Sequence, residues 1–211
     1  MSPTMTMNKA IHGAVRRDLR RFAEATAAFA DGDKARAAGL GRAWDNFEDQ
    51  LTHHHEGEHE IAWPACLAIG VSQEVLDGFD AEHETMAAAL AEAGTKMGRF
   101  RTSATAEDAT TLHQAILDLR SVTEIHLDHE EAAVEELMLS NGQNPVLQEM
   151  GKKFGKVSPA RGGRFFAWVL DGATPEERSA IEFFVPGPVL AIIGGIFGWG
   201  YRRTVAPVWQ A

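Results

Sequence analysis

Up to about residue 140, apolar positions recur at alternating steps of three and four, the spacing that gathers them on one face of an α-helix. The pattern predicts four long helices near 8–31, 34–62, 73–98 and 107–139, which together favour strong helix formers, especially Ala, Leu, Glu and Arg. Breakers separate them: Asp31-Gly32-Asp33, Pro64 with Gly70, Thr102-Ser103, and the run Asn141-Gly142-Gln143-Asn144-Pro145. No segment alternates with a period of two for long enough to predict a sheet. Long amphipathic helices joined by short connections imply an all-α protein, an antiparallel up-down four-helix bundle.

From Pro145 onward the texture changes, and the pattern divides the chain into a bundle, 1–144, and a helical C-terminal extension, 145–211, packed on it. Short helices are predicted at 146–155, 158–170, 174–185 and 188–201. Thr174-Pro175-Glu176-Glu177 reads as a helix start, with threonine capping, proline in the first turn and a glutamate positioned to complete a capping box. The stretch from Phe183 to Tyr201 carries no charge. Pro186-Gly187-Pro188 interrupts it, and the remainder is too short to cross the hydrocarbon unaided. The expectation is packing on the bundle, with Trp199 and Trp209 buried like the other aromatics; membrane association of 183–201 is the alternative reading.

Polar residues that interrupt the apolar stripes carry the chemistry. In the second helix the stripe runs Trp44, Phe47, Leu51, His54, Glu58, Ile61, so a histidine and a glutamate one turn apart occupy core positions. The fourth repeats this: Leu112, Ile116, Leu119, Thr123, His126, Glu130, Ala133, Leu137. The third places His83 among Leu76, Phe79, Met86 and Leu90, and the first places His12 beside Ile11, Val15, Leu19 and Phe22. A buried carboxylate costs several kcal/mol unless it is paired or bound to a cation, and two in one core also repel each other. Four neutral imidazoles and two carboxylates can satisfy two metal ions about 3.5–4 Å apart and leave positions open for a small ligand. The rest of the His53–Glu60 run reads as a solvated surface, with His55, four residues after Leu51, able to support a ligand from beside the stripe. His113 and His129 also lie beside the stripe. Met86, Met97 and the phenylalanines read as core, and Arg16, Arg17, Arg20 and Arg21 as a solvated face.

Composition narrows the partners. The net charge of -10 opposes binding to nucleic acid or an anionic surface. A single cysteine, Cys66, excludes an internal disulfide framework and fits a reducing, cytoplasmic compartment, and the opening residues show no apolar signal segment. Eight of the nine histidines fall between His53 and His129, a clustering that suits metal ligation.

With His12, the run His54-His55-Glu56-Gly57-Glu58 closed by Trp63-Pro64, His83, and the run His126-Leu127-Asp128-His129-Glu130, residues 8–140 resemble the hemerythrin family, in particular its bacterial members with the HHE cation-binding domain. The resemblance implies two iron ions, oxo- or hydroxo-bridged: His12 and His54 on one, His83 and His126 on the other, Glu58 and Glu130 between them. Zinc or manganese is the lesser alternative. It further implies binding of dioxygen, peroxide or nitric oxide for sensing, storage or detoxification, with weak catalase- or peroxidase-like activity. A non-redox metal-binding or structural role is the competing reading. Oxygen-carrying relatives have a second histidine one turn after the first on the third helix; here that position is Ala87, which argues against simple oxygen carriage.

Overall fold

The computed structural model describes residues 3–210, and every regular element among them is helical. Four long helices lead: α1 (Met7–Ala27), α2 (Lys34–Gly57), α4 (Gln73–Ser103) and α5 (Ala106–Ser140), with the short α3 (Trp63–Ala68) between the second and third. Each long helix opens on a side chain that accepts an otherwise unpaired backbone N–H: Thr6 from Lys9, Asp33 from Arg36, Ser72 from Val75 and Thr105 from Asp108. The α1–α2 and α4–α5 turns lie together. Gly32, at φ 80°, donates its N–H to the carbonyl of Ala104, itself left-handed at φ 52°.

The first helix stops at Ala27, short of the predicted end, and α4 runs five residues further than predicted, to Ser103. A larger departure falls in the second helix. Pro64 does not end it. Lacking an N–H and crowding the carbonyl four residues back, proline is accommodated by a π-helical turn, Glu58–Ala62, in which Trp63 N–H donates to Glu58 O. The extra residue in that turn rotates the helix beyond it, so Ala62 and Trp63 are buried where Ile61 was expected, and Ile61 is only half-buried. On α5 the stripe likewise moves from Glu130 to Val134, leaving Ala133 exposed.

α5 packs against α1 and α4, α4 against α2, and α2 against α1. Phe22 meets Trp44 and Phe47 edge-on in the main apolar cluster, and Phe79 and Trp63 pack in a second, smaller one. Thr6 at the start of α1 meets Glu135 near the end of α5, while Thr26 near the end of α1 meets His113 near the start of α5. The same crossing places Glu82 of α4 beside His126 and Arg99 beside Asp108.

Five further helices follow: α6 (Pro145–Phe154), α7 (Pro159–Val169), α8 (Pro175–Phe184), α9 (Gly187–Ile196) and α10 (Trp199–Thr204), then a 3-10 turn, Ala206–Trp209. The Thr174–Glu177 capping box is present. The last predicted helix is split at Phe197-Gly198, where Gly198 packs so closely on Ala167 and on the carbonyls of Gly163 and Gly194 that a Cβ would collide. α7 and α8 lie against α1, and α6 lies against α3 and the π turn.

The seam between the tail and α1 is polar and buried. Trp168 Nε1 donates to Asp18 Oδ2 at 2.8 Å, Arg17 donates to the Trp168 carbonyl at 3.1 Å, and Arg21 joins Asp18 to Asp171. This corrects the expectation of a solvated arginine face. Arg17 is buried under the tail, and of the four arginines only Arg20 is exposed. Burial pushes the Asp18 carboxyl up, while Arg17 and Trp168 draw it back. Trp168→Phe keeps most of the packing but removes a donor from a buried carboxylate. A loss of about 1–3 kcal/mol is expected in urea unfolding of the full chain.

Among the described residues no single helix is long and apolar enough to cross a membrane; α8 and α9 pass only as a pair bent by 99°.

Candidate metal centre

α1, α2, α4 and α5 each turn one imidazole toward the same point. His12 and His126 are fully buried, and His54 and His83 nearly so. Glu58 and Glu130, at 2% and 1% exposure, lie among them. His54 Nε2 stands 3.1 Å from Glu58 Oε1, and His83 Nε2 stands 3.4 Å from Glu58 Oε2. His12 Nε2 is 3.3 Å from Glu130 Oε2 and 3.9 Å from Glu58 Oε1; His126 Nε2 is 3.6 Å from Glu130 Oε2. All six residues singled out by the stripes therefore meet in one cluster, with each glutamate between imidazoles of different helices.

Two overlapping groups have ligand-type atoms within 4.8 Å of one another: His12, His54 and Glu58, and His55, Glu58, His83 and His126. Glu58 is common to both, and it is the first residue of the π turn. His55 is a finding that periodicity left open. Its ring stacks on His83 with centroids 4.0 Å apart and planes 19° from parallel, and the Trp63 ring lies nearly parallel to His83 with centroids 5.9 Å apart.

Outer partners fix the rings from behind. His12 Nδ1 donates to Glu131 Oε1 at 3.0 Å, and Arg16 and Lys9 hold that same carboxylate. His126 Nδ1 donates to Glu82 Oε2 at 2.9 Å, and His129 occupies the other Glu82 oxygen. Each of these bonds orients an imidazole and leaves its Nε2 facing the cluster. Asn8 donates to Glu130 Oε1 at 2.8 Å. The stripes did not single out Glu82, Glu131 or Asn8, because each reaches the site from the edge of its helix. The clue present in the sequence was the spacing of Glu131 beside Glu130 and of Glu82 beside His83.

The inward atoms are poorly served by protein alone. His54 Nε2, His55 Nε2, both oxygens of Glu58 and Glu130 Oε2 are buried without a hydrogen-bond partner. His83 Nε2 and His126 Nε2 face each other at 3.0 Å, a contact in which at most one can act as donor if both rings are neutral. Such a density of unpaired donors and acceptors is costly in a core unless a cation occupies the space between them.

The electrostatics point the same way. Burial, reinforced by the Glu130 charge, pushes Glu58 up to about 8. Burial opposes a charge on His12 also, but Glu130, Glu131 and Glu58 together hold its imidazolium well above the ordinary histidine range. Against its own burial, Glu130 is drawn down by His12 and His126. Burial and neighbouring histidines depress His54 and His55 strongly and bring His83 to about 4, and burial lowers His126 too, so these four rings are neutral with nitrogens free to ligate. Burial lifts the Cys66 thiol to about 12, which removes it as a thiolate.

A cleft of about 270 Å³ opens between α2 and α4 and reaches His55 and His83. Its wall is mostly apolar, including Leu51, Met86 and Leu90, and Ala87 lies in it where a longer side chain would fill the passage.

Residues 6–134 match the family described as Hemerythrin HHE cation binding domain, a span that contains every residue of this cluster. No curated protein and no solved structure was found to match the chain.

Proposed function

The chain belongs to the hemerythrin HHE cation-binding family, and from that premise we propose that it holds two iron ions and binds dioxygen, peroxide or nitric oxide for sensing, storage or detoxification. In this reading α1, α2, α4 and α5 form an antiparallel up-down bundle over residues 1–144, with 145–211 as an appended helical unit. The carrying observation is the set of five buried, unpartnered ligand-type atoms on His54, His55, Glu58 and Glu130. Their chemistry, imidazole nitrogen and carboxylate oxygen, suits iron, manganese or zinc.

His12 and His54 would hold one cation, and His83 and His126 the other, with Glu58 and Glu130 between them. His55, absent from that set when the sequence is read alone, joins the His83 side and offsets the ligand missing at Ala87. The iron pair would supply electrons to, or withdraw them from, a small oxygen or nitrogen ligand. The protein's own part is to orient and to exclude. Glu131 and Glu82 keep His12 and His126 in the tautomer that presents Nε2 inward, His55 stacks on His83, and the cleft at Ala87 admits a small neutral molecule while apolar walls limit water. Weak peroxide decomposition and a cytoplasmic setting belong to this reading, and nucleic acid does not.

The test is elemental analysis of aerobically purified full-length chain with an absorption spectrum from the same sample, followed by titration with peroxide and nitric oxide. About two irons per chain, with bands in the near-ultraviolet and visible, are expected, and His54→Ala and Glu130→Ala should each lose metal. Zinc without bands, together with failed anaerobic reconstitution by iron, would assign a structural cation instead. Full metal content in both variants would place the metal elsewhere.

A further inference from the structure

The C-terminal helices carry a second apolar stripe that faces solvent. Along α9 and α10, Val189, Ile192, Ile196 and Trp199 follow steps of 3, 4 and 3, and they are 40%, 60%, 66% and 59% exposed. The opposite side of α9 is already satisfied, with Leu190 and Gly194 buried and the helix packed on α7. Phe183 and Phe184, each half exposed, stand at the 99° corner between α8 and α9 with their rings edge-on. These are the phenylalanines and the tryptophan expected in the core, and they lie outside it. A contiguous exposed apolar surface of this kind marks an interaction site.

Charge selects its partner. From Phe183 to Gln210 there is no acidic residue, whereas Arg202 and Arg203 are both exposed, and the Arg203 guanidinium lies over the Trp199 ring at 4.9 Å. Residues 145–211 hold eight Lys and Arg against five Asp and Glu, and the remainder of the chain holds twelve against twenty-five. The chain is therefore polarised, with an apolar, basic tail and an acidic bundle. A two-fold contact between copies through this face would bring Arg202 and Arg203 toward their own counterparts, which disfavours a second copy. An anionic bilayer meets both properties: apolar side chains enter the acyl boundary, Trp199 sits at the headgroup level, and arginine pairs with lipid phosphate. α9 has ten residues, about 15 Å of helix, half of what a bilayer core requires. The geometry points to peripheral docking on an anionic membrane surface, with α9 lying in the interface and the acidic bundle held away from it. This inference is independent of the metal centre.

Flotation of the full-length chain with lipid vesicles tests it. Wild type is expected to float with vesicles of phosphatidylcholine containing phosphatidylglycerol, and much less with phosphatidylcholine alone. Ile192→Asp combined with Ile196→Asp should cut binding at least tenfold, and Arg203→Gln about fivefold, on the anionic vesicles only. All three side chains are exposed, so helical content by circular dichroism should stay unchanged and report that the fold is intact. Failure of the wild type to float with anionic vesicles would overturn the inference, as would variants that float like wild type. A dimer in solution that Ile192→Asp dissolves, with no flotation, would assign the face to a second copy and overturn it equally.

Discussion

Glu58→Leu is expected to abolish metal uptake and, in the same variant, to make the metal-free chain more stable than metal-free wild type. Both halves rest on one observation: Glu58 is 2% exposed and both of its oxygens lack a hydrogen-bond partner. Without a cation the folded state bears the cost of a desolvated carboxyl beside a second one, Glu130, and a leucine at this stripe position packs without that cost. A gain of about 1–3 kcal/mol is expected for the metal-free variant at neutral pH, the cost of keeping a protonated polar group buried without a hydrogen-bond partner. With metal present the order reverses, since only wild type gains binding free energy. The measurement is urea unfolding after exhaustive chelation, repeated after reconstitution, with metal content determined on each sample. A metal-free Glu58→Leu chain less stable than wild type would show that Glu58 is well served by protein groups and needs no cation between the imidazoles.

Metal affinity is expected to rise steeply with pH up to about 8, with about one to two protons released on binding. In the metal-free chain Glu58, pushed up to about 8, and His12, held well above the ordinary histidine range, both carry protons at neutral pH and must surrender them to a cation. The other four imidazoles are depressed and already neutral, so they add nothing to the proton count. Stability of the metal-free chain carries the same signature. A carboxyl raised from 4.5 to about 8 binds more protons folded than unfolded, so its contribution falls as pH rises through that window. His83, depressed from 6.5 to about 4, binds fewer protons folded than unfolded, so its contribution is complete above 6.5 and is lost as pH falls toward 4. His12 loses its contribution as pH climbs past its raised value. Between 4.5 and 6.5 Glu58 and His83 oppose each other, and above about 6.5 Glu58 and His12 both lose their contributions, so the stability of the metal-free chain declines on the alkaline side of about pH 6.5, a decline that metal removes. Calorimetric titration in two buffers of different ionisation enthalpy counts the protons, and denaturation at several pH values follows the decline. A pH-independent affinity would mean that neither Glu58 nor His12 is displaced from a proton by the metal.

The sequence was most informative where structure is local. Helix phase is set by residues three and four apart, so His54, Glu58, His126 and Glu130 could be placed on inward faces before any neighbour was known, and the same rhythm excluded a sheet. Caps were legible for the same reason, as Thr174 and Glu177 illustrate. At Pro64 the missing N–H predicts a helix end, whereas the chain takes the cheaper course of a π turn that keeps the helix running.

What the sequence by itself determined is the helical class, the six polar interruptions of the apolar stripes and the family those interruptions mark. Only the tertiary structure decided that His55 stacks on His83 and joins the cluster, that Glu82 and Glu131 hold the rings from behind, that Arg17 lies beneath the tail, and that Ile192, Ile196 and Trp199 face outward. The reason is physical. Periodicity reports which face of a helix is apolar, but not the offset and rotation of the helix opposite, and those two quantities decide which edge residues meet. It is equally silent on whether an apolar face has a partner within the chain, because a stripe buried on α7 and a stripe left to a membrane have the same spacing.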